Sequence, residues 1–380
     1  MKTNNTNNLP ENHRIYADKY FTRTRQILEA EGLNPIVSMN VFARGNGKLE
    51  GIDEAIEVVE KYSDTRKVGG ELWVAKSEVY TNKQPLMIIK APAQNIVELE
   101  TMYLGVLSAA ISKVNNKPTP TADFIKEKFE KLKDIYEGKS MIYFGARHYH
   151  WSLDEMIGKA ALDGGAVATS TDIGSLSRGQ EGTGTMPHFL ILCMAYKYGR
   201  DVGTLKAAEA FDKYIDPKIK RITLVDTFNK ELTDSLMVAK YFGQRYNMQR
   251  IDTCGENIGE FGSLYNQEKT KDPSFEVGTG VTLELARNLR SNLINNGYGQ
   301  YTDTVLSSNF GDEKKAEAFM KADAQFKKET GYSLFTTVGI GEVTEATFCT
   351  GDIFEINGKP FSKTGREITN VNYSLLEKVI

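Results

Sequence analysis

Cysteine is scarce in this chain: Cys193, Cys254 and Cys349 are the only three in 380 residues. Three cannot build a disulfide framework, and none has the Cys-x-x-Cys spacing of a zinc site. A reducing, cytoplasmic setting is the expectation that follows. Neither sign of charge is in excess. Lys plus Arg is 47, Asp plus Glu is 50, and the formal net charge is -3. That balance lacks the basic footprint of a nucleic-acid binder. No long apolar run exists. The longest, around Phe189–Tyr196, falls far short of the roughly 20 residues a membrane-spanning helix needs. The start, MKTNNTNNLPENHR, has no apolar stretch of the export type and reads as a polar tail up to about Pro10. No internal repeat appears. A Gly-x4-Gly-Lys-Ser/Thr loop is missing, which argues against a Walker-type triphosphatase. No nucleophile elbow supports a Ser-His-Asp hydrolase. ITLVDTF has only one acid, not the adjacent pair of a type I phosphoribosyltransferase.

What is present is ordinary globular composition, 40% apolar and 26% charged. The length allows two or three domains at roughly 100–200 residues each. Residues 1–138 mix short strands and helices. Helices are predicted over Tyr20–Glu31, Ile96–Val114 and Ala122–Tyr136, and strands over Asn34–Ala43, Gly70–Lys76 and Pro85–Lys90. Residues 139–343 change rhythm. Apolar runs at 141–145, 166–170, 222–227, 250–254, 304–309 and 334–341 alternate with helical stretches at 153–162, 188–199, 235–246, 281–294 and 312–326. That alternation predicts βαβ units and a parallel sheet closed, or nearly closed, into a barrel. Residues 344–380 carry an Asn-Gly hairpin signal in EINGKPFSKTGR and read as a return to an antiparallel layer on the first domain.

Barrel chemistry sits at the carboxyl ends of the strands, so the residues after each run matter most. They are Phe144-Gly145-Ala146-Arg147, Ser170-Thr171-Asp172, Gly184-Thr185-Met186-Pro187-His188, Asp226-Thr227, Asp252-Thr253, Ser307-Ser308-Asn309 and Gly339-Ile340-Gly341. Asp226 and Asp252 end successive strands, so their carboxylates can converge on Mg²⁺ or sugar hydroxyls. Each taken singly reads equally well as a helix N-cap. His188 is one of four histidines and opens an apolar helix, where a histidine is more often structural. Arg147 and Arg250 are either exposed ion-pair partners or forks for carboxylate and phosphate. Ser307, Ser308 and Asn309 offer donors near Gly339–Gly341, read as a turn able to approach a phosphate.

In order, FGAR (144–147), GTMPH (184–188), LVDT (224–227), RIDT (250–253), SSNF (307–310) and VGIG (338–341) resemble the motifs of nicotinate phosphoribosyltransferases, a type II family. DKYF (18–21) and GKPFSKTGR (358–366) add to the likeness, which runs nearly end to end. The resemblance implies an irregular α/β barrel plus an N-terminal α/β sandwich completed by C-terminal residues. It implies a homodimer, or an assembly of dimers, sharing its active sites. It implies transfer from phosphoribosyl pyrophosphate to nicotinate, coupled to ATP and needing Mg²⁺. On this likeness Tyr20 stacks on the pyridine ring from the neighbouring subunit and Phe144 covers the other face. Arg147 and Arg250 hold carboxylate or phosphates, with Ser170 and Thr171 also at the substrate. Asp226 and Asp252 bind ribose hydroxyls and metal-bound pyrophosphate, with no fixed protein metal site. Ser307, Ser308, Asn309, Gly339 and Gly341 cradle the 5′-phosphate, and His188 is phosphorylated by ATP. His148 and His150 depart from the pattern. Asp172 leaves nicotinamide open as the alternative substrate, and a non-catalytic nucleotide-binding protein on the same scaffold is the alternative of another class.

Overall fold

The structure, a computed structural model, describes residues 9–368 and 371–380. Most of the stretch read as a polar tail lies outside those residues, but its end does not. Leu9 is buried, and the Leu9 carbonyl accepts from Lys61 Nζ at 2.8 Å. The packed chain therefore begins before Pro10.

Two six-stranded sheets organise the molecule. The antiparallel one runs Lys359–Pro360, Cys349–Ile356, Ile36–Ala43, Pro85–Pro92, Glu71–Ala75, Leu376–Lys378. Its centre, IVSMNVFA, is buried at every position but the first, as expected of a strand paired on both edges. Two of its strands and the closing edge come from the C-terminus. Cys349–Ile356 pairs with Ile36–Ala43, Val37 lying opposite Ile356. Asn357 and Gly358 take φ of 49° and 75° between strands Cys349–Ile356 and Lys359–Pro360. Positive φ at both turn residues is the tight hairpin geometry that an Asn-Gly pair favours.

The parallel sheet runs Ala168–Thr169, Ser140–Tyr143, Thr337–Ile340, Thr302–Leu306, Asn247–Ile251, Ile222–Leu224. Its outer strands, Ala168–Thr169 and Ile222–Leu224, do not pair with each other, so the sheet curls into a half-barrel rather than closing. The helices around it are set by legible signals. Helix Glu313–Thr330 is capped by Asp312, whose carboxylate accepts from Lys315 N at 3.0 Å. It buries Ala316, Phe319, Ala322 and Phe326 along one stripe and ends at Gly331 with φ 81°. Helix Ala122–Ile135 is capped by Thr121 and buries Ile125, Phe129 and Leu132. Helix Glu100–Val114 is buried nearly all round, as its apolar composition predicts. No helix among the described residues is long and apolar enough to cross a membrane.

Two helices lie outside the expected set. Ile52–Ser63 starts at Gly51 with no side-chain cap, and Gly203–Tyr214 buries mainly small residues, Ala207, Ala208 and Ala210, beside Phe211. The predicted run at 250–254 lies late. The strand is Asn247–Ile251, and residues 252–282 form an irregular excursion pinned by bridges Ile258–Thr279 and Lys271–Gly278.

Candidate active site

A cavity of about 400 Å³ opens at the carboxyl ends of the parallel strands, within the roughly 300–1,000 Å³ of small-ligand clefts. Arg44, Arg147, Arg250, Lys271, Lys363 and Arg366 line it together with Asp252, Glu256 and Glu342. A narrower crevice of about 80 Å³ lies against it and shares Arg147, Arg250, Asp252 and Lys363. Its other walls include Tyr20, Glu100 and His188.

Asp252 sits just past its strand and is held by two donors. Ser307 Oγ donates to Oδ1 at 2.6 Å, and Arg250 Nη2 donates to Oδ2 at 3.0 Å. Burial pushes this carboxyl up, but the Arg250 charge and the Ser307 hydrogen bond outweigh it and hold Asp252 below the usual range. Asp226, at the tip of the neighbouring strand, goes the other way. Burial raises it, and the Asp252 charge raises it further. Its Oδ1 is buried with no partner. The pair thus reaches opposite states from like residues, one ionised and one protonated near neutrality.

His188 opens helix His188–Tyr198. Its Nδ1 lies 3.0 Å from Thr227 Oγ1, and its Nε2 is 3.5 Å from Asp226 Oδ2. The ring is pushed well below its ordinary pKa by burial first and then by Lys363, Arg250, Arg147 and Arg366. It is neutral, and these causes, rather than the helix end alone, make it so.

Arg250 also lies over Phe144, its Cζ 5.0 Å from the ring centroid, and its Nε donates to Ser307 Oγ at 2.9 Å. Arg147 faces Glu100, Nη1 to Oε1 being 3.4 Å. Burial lifts Glu100 to about 8 against the pull of Arg147. The C-terminal segment closes this corner. Thr364 N–H donates to the Thr227 carbonyl at 3.0 Å, Lys363 lies 3.4 Å from Asp352, and Arg366 Nη1 donates to Glu256 at 3.1 Å.

Several residues occupy places other than those expected. Gly339 and Gly341 line the cavity, and neither takes the positive φ of a tight glycine turn. Gly339 is within strand Thr337–Ile340, paired with Ile142, and Gly341 follows directly. A Cβ on Gly339 would come 2.4 Å from the Phe144 ring, and one on Gly341 would come 2.9 Å from His148 Cε1. These glycines make room for two rings. Gly339→Ala should therefore cost about 1–3 kcal/mol by overpacking. The reading is a lower urea midpoint at unchanged slope, and an unchanged midpoint contradicts the packing account.

Thr171 is committed to structure: its hydroxyl donates to Asp154 and accepts from Gly174 N, capping a short turn. Ser170 Oγ is buried without a partner. Asp172 is taken by Lys19 Nζ at 2.7 Å and by Gly182 N–H at 2.8 Å. Tyr20 lines the crevice, its hydroxyl 3.3 Å from Asp18 Oδ2 and its ring 4.4 Å from that of Phe21. Ser307 holds Asp252 and Arg250 rather than standing free. Ser308 and Asn309 do line the cavity, at φ 78° and 62°. Lys315 steadies this left-handed pair: its Nζ donates to the Ser308 carbonyl at 2.9 Å and lies 4.4 Å from the Phe310 ring centroid. Burial lowers Lys315 to about 7. His150 pairs with Glu54 at 2.8 Å, away from the cavity, while His148 lines it.

Lys271, Lys315, Lys363 and Arg366 were not among the expected site residues. Lys363 and Arg366 lie inside GKPFSKTGR, so that motif carried the information. Lys271 and Lys315 sit in an irregular excursion and a charged helix, where one lysine looks like any other.

The chain is similar in fold to known proteins. The family model described as "Quinolinate phosphoribosyl transferase, N-terminal domain" matches residues 18–111. The solved nicotinate phosphoribosyltransferase of Porphyromonas gingivalis superposes with a TM-score of 0.63 at 12% identity, over 92% of each chain. That of Vibrio cholerae superposes with a TM-score of 0.64 at 13% identity, over 92% of this chain and 87% of the other. The strand-tip motifs, the N-terminal match and these end-to-end superpositions give the chain the fold of the nicotinate phosphoribosyltransferases.

Proposed function

We propose that the chain transfers a phosphoribosyl group from phosphoribosyl pyrophosphate to nicotinate, releasing pyrophosphate, in the biosynthesis of NAD. The observation that carries this reading is the Arg250–Asp252–Ser307 unit beneath a cavity rimmed by guanidinium and ammonium groups. Anionic substrates at both ends of the reaction need such a rim. Departure of pyrophosphate builds positive charge on the sugar, and an ionised Asp252 fixed at the strand tip is placed to stabilise it. The pyridine nitrogen is itself the nucleophile, so positioning does most of the remaining work.

Mg²⁺ fits as a companion of the pyrophosphate. Asp226 Oδ1 is buried and unpartnered, and the two acids repel, so a divalent cation would relieve both. It would supply charge neutralisation of the leaving group.

Nicotinate is favoured over nicotinamide because Asp172, the acid that would mark the amide, is occupied by Lys19 and Gly182. A second reading, quinolinate, has the N-terminal family match and the number of cations in its favour. A dimer with shared sites would bring a partner's groups to a crevice that already holds this chain's own Tyr20. The reading is tested by product: nicotinate mononucleotide should form only with both substrates and Mg²⁺ present. Its absence with all three contradicts the proposal.

ATP coupling would run through His188, whose neutral ring is fit for phosphorylation. Incubation with γ-labelled ATP should give an acid-labile, base-stable label that His188→Asn removes, while some ATP-independent transfer survives. Equal labelling of both proteins returns His188 to a structural role.

A further inference from the structure

His148 is positioned with more care than packing alone requires. Its Nδ1 lies 3.0 Å from the Gly341 carbonyl oxygen. A carbonyl only accepts, so Nδ1 carries the ring proton and Nε2 is left as a lone-pair acceptor. Phe348 lies against the ring at 4.2 Å and 32°, and the missing Cβ of Gly341 gives Cε1 its space. The ring lines the main cavity, and no hydrogen-bond partner of Nε2 occurs among the described residues. Burial and Arg147 lower its pKa to about 3, so the acceptor stays neutral.

The surroundings decide what such an acceptor can meet. The cavity's guanidinium and ammonium groups are donors only, suited to phosphate and carboxylate. Two of its acids are engaged, Asp252 by Arg250 and Ser307 and Glu256 by Arg44 and Arg366, and the third, Glu342, is pushed up toward its protonated form by burial. On the substrates of the proposed reaction, ionised phosphates and the pyridine carboxylate have no proton to give. Ribose hydroxyls do. We infer that His148 Nε2 accepts a hydrogen bond from a ribose hydroxyl, making His148 a residue that selects a sugar phosphate over other anions. This rests on the phosphoribosyl-transfer reading.

The probes are ribose 5-phosphate and 2,3-dideoxyribose 5-phosphate, titrated calorimetrically into wild type, His148→Phe and His148→Gln. Phe keeps the ring stack and loses the acceptor, whereas Gln keeps an acceptor. Wild type should prefer the ribose compound, and His148→Phe should lower that preference about tenfold, the worth of one hydrogen bond near 1.4 kcal/mol. His148→Gln should recover part of it. An unchanged preference in a folded His148→Phe protein overturns the assignment. Should His148→Phe not fold, nitrogen NMR of the four wild-type histidines decides. The His148 Nε2 signal should move on adding ribose 5-phosphate and stay still with the dideoxy compound, and no movement with either overturns the inference. Wild-type transfer with an unchanged preference defeats this inference alone. Absence of transfer with any pyridine acid defeats the proposed function instead.

Discussion

Asp252→Ala should leave a folded protein that has lost phosphoribosyl transfer by roughly 10³-fold or more in kcat/KM, the scale of removing a pre-organised electrostatic group. The carboxylate lies at a cavity wall, so its truncation opens no core void. Two donors, Ser307 Oγ and Arg250 Nη2, are fixed on it and would be released into the site. Asp226 should change as well. Its carboxyl is raised by burial and then by the Asp252 charge, and without that charge it should fall toward the ordinary range. The sign for stability follows. A carboxyl raised in the folded state supports folding fully below its unfolded pKa, and that support is lost as pH rises toward the raised value. The loss of stability with rising pH should therefore be smaller in Asp252→Ala than in wild type. Urea midpoints across that window, with turnover alongside, check both points. Near-normal turnover in a folded variant contradicts the role given to Asp252.

Arg290→Leu is the substitution expected to cost most in stability, about 3–5 kcal/mol, as for breaking a buried charge network. Arg290 is only 2% exposed. Its Nε donates to the Ser333 carbonyl at 2.9 Å, Nη2 to Gly299 at 2.8 Å and Nη1 to Thr302, and Asp303 lies 3.5 Å away. One guanidinium thus ties helix Leu283–Asn295 to the start of strand Thr302–Leu306 and to the loop leading into strand Thr337–Ile340. Leucine fills part of the volume and meets none of these acceptors. Lysine should not rescue it, because one ammonium cannot span three carbonyls in a fixed fork. Chemical denaturation measures the effect, and a loss below about 1 kcal/mol would place the network at the level of a single ordinary hydrogen bond.

Much of this arrangement was legible in the chain because the determinants are local. The Asn357-Gly358 turn follows from two residues and is used as expected, and the Asp312 cap and the Gly331 stop, though not singled out in the sequence, are equally local. The strand-tip motifs were legible for the same reason, since a parallel strand ends where its apolar run ends. Less legible is what long-range packing decides. Gly339 read as part of a turn after the strand, but it lies within strand Thr337–Ile340 and against the Phe144 ring, which is far away in sequence. Thr171 read as a substrate group, but buried Asp154 claims its hydroxyl. Lys315 gave no sign of itself. Its burial depends on Phe310 and on the left-handed Ser308 carbonyl, neither of which marks one lysine in a charged helix.

The central claim is that this cavity moves a phosphoribosyl group onto nicotinate. Pyrophosphate release from phosphoribosyl pyrophosphate and Mg²⁺, with nicotinate, nicotinamide and quinolinate in parallel and with and without ATP, tests it most directly. The account predicts release with nicotinate well above that with the other two acceptors, increased by ATP. Release with none of the three, from a folded protein, would contradict it.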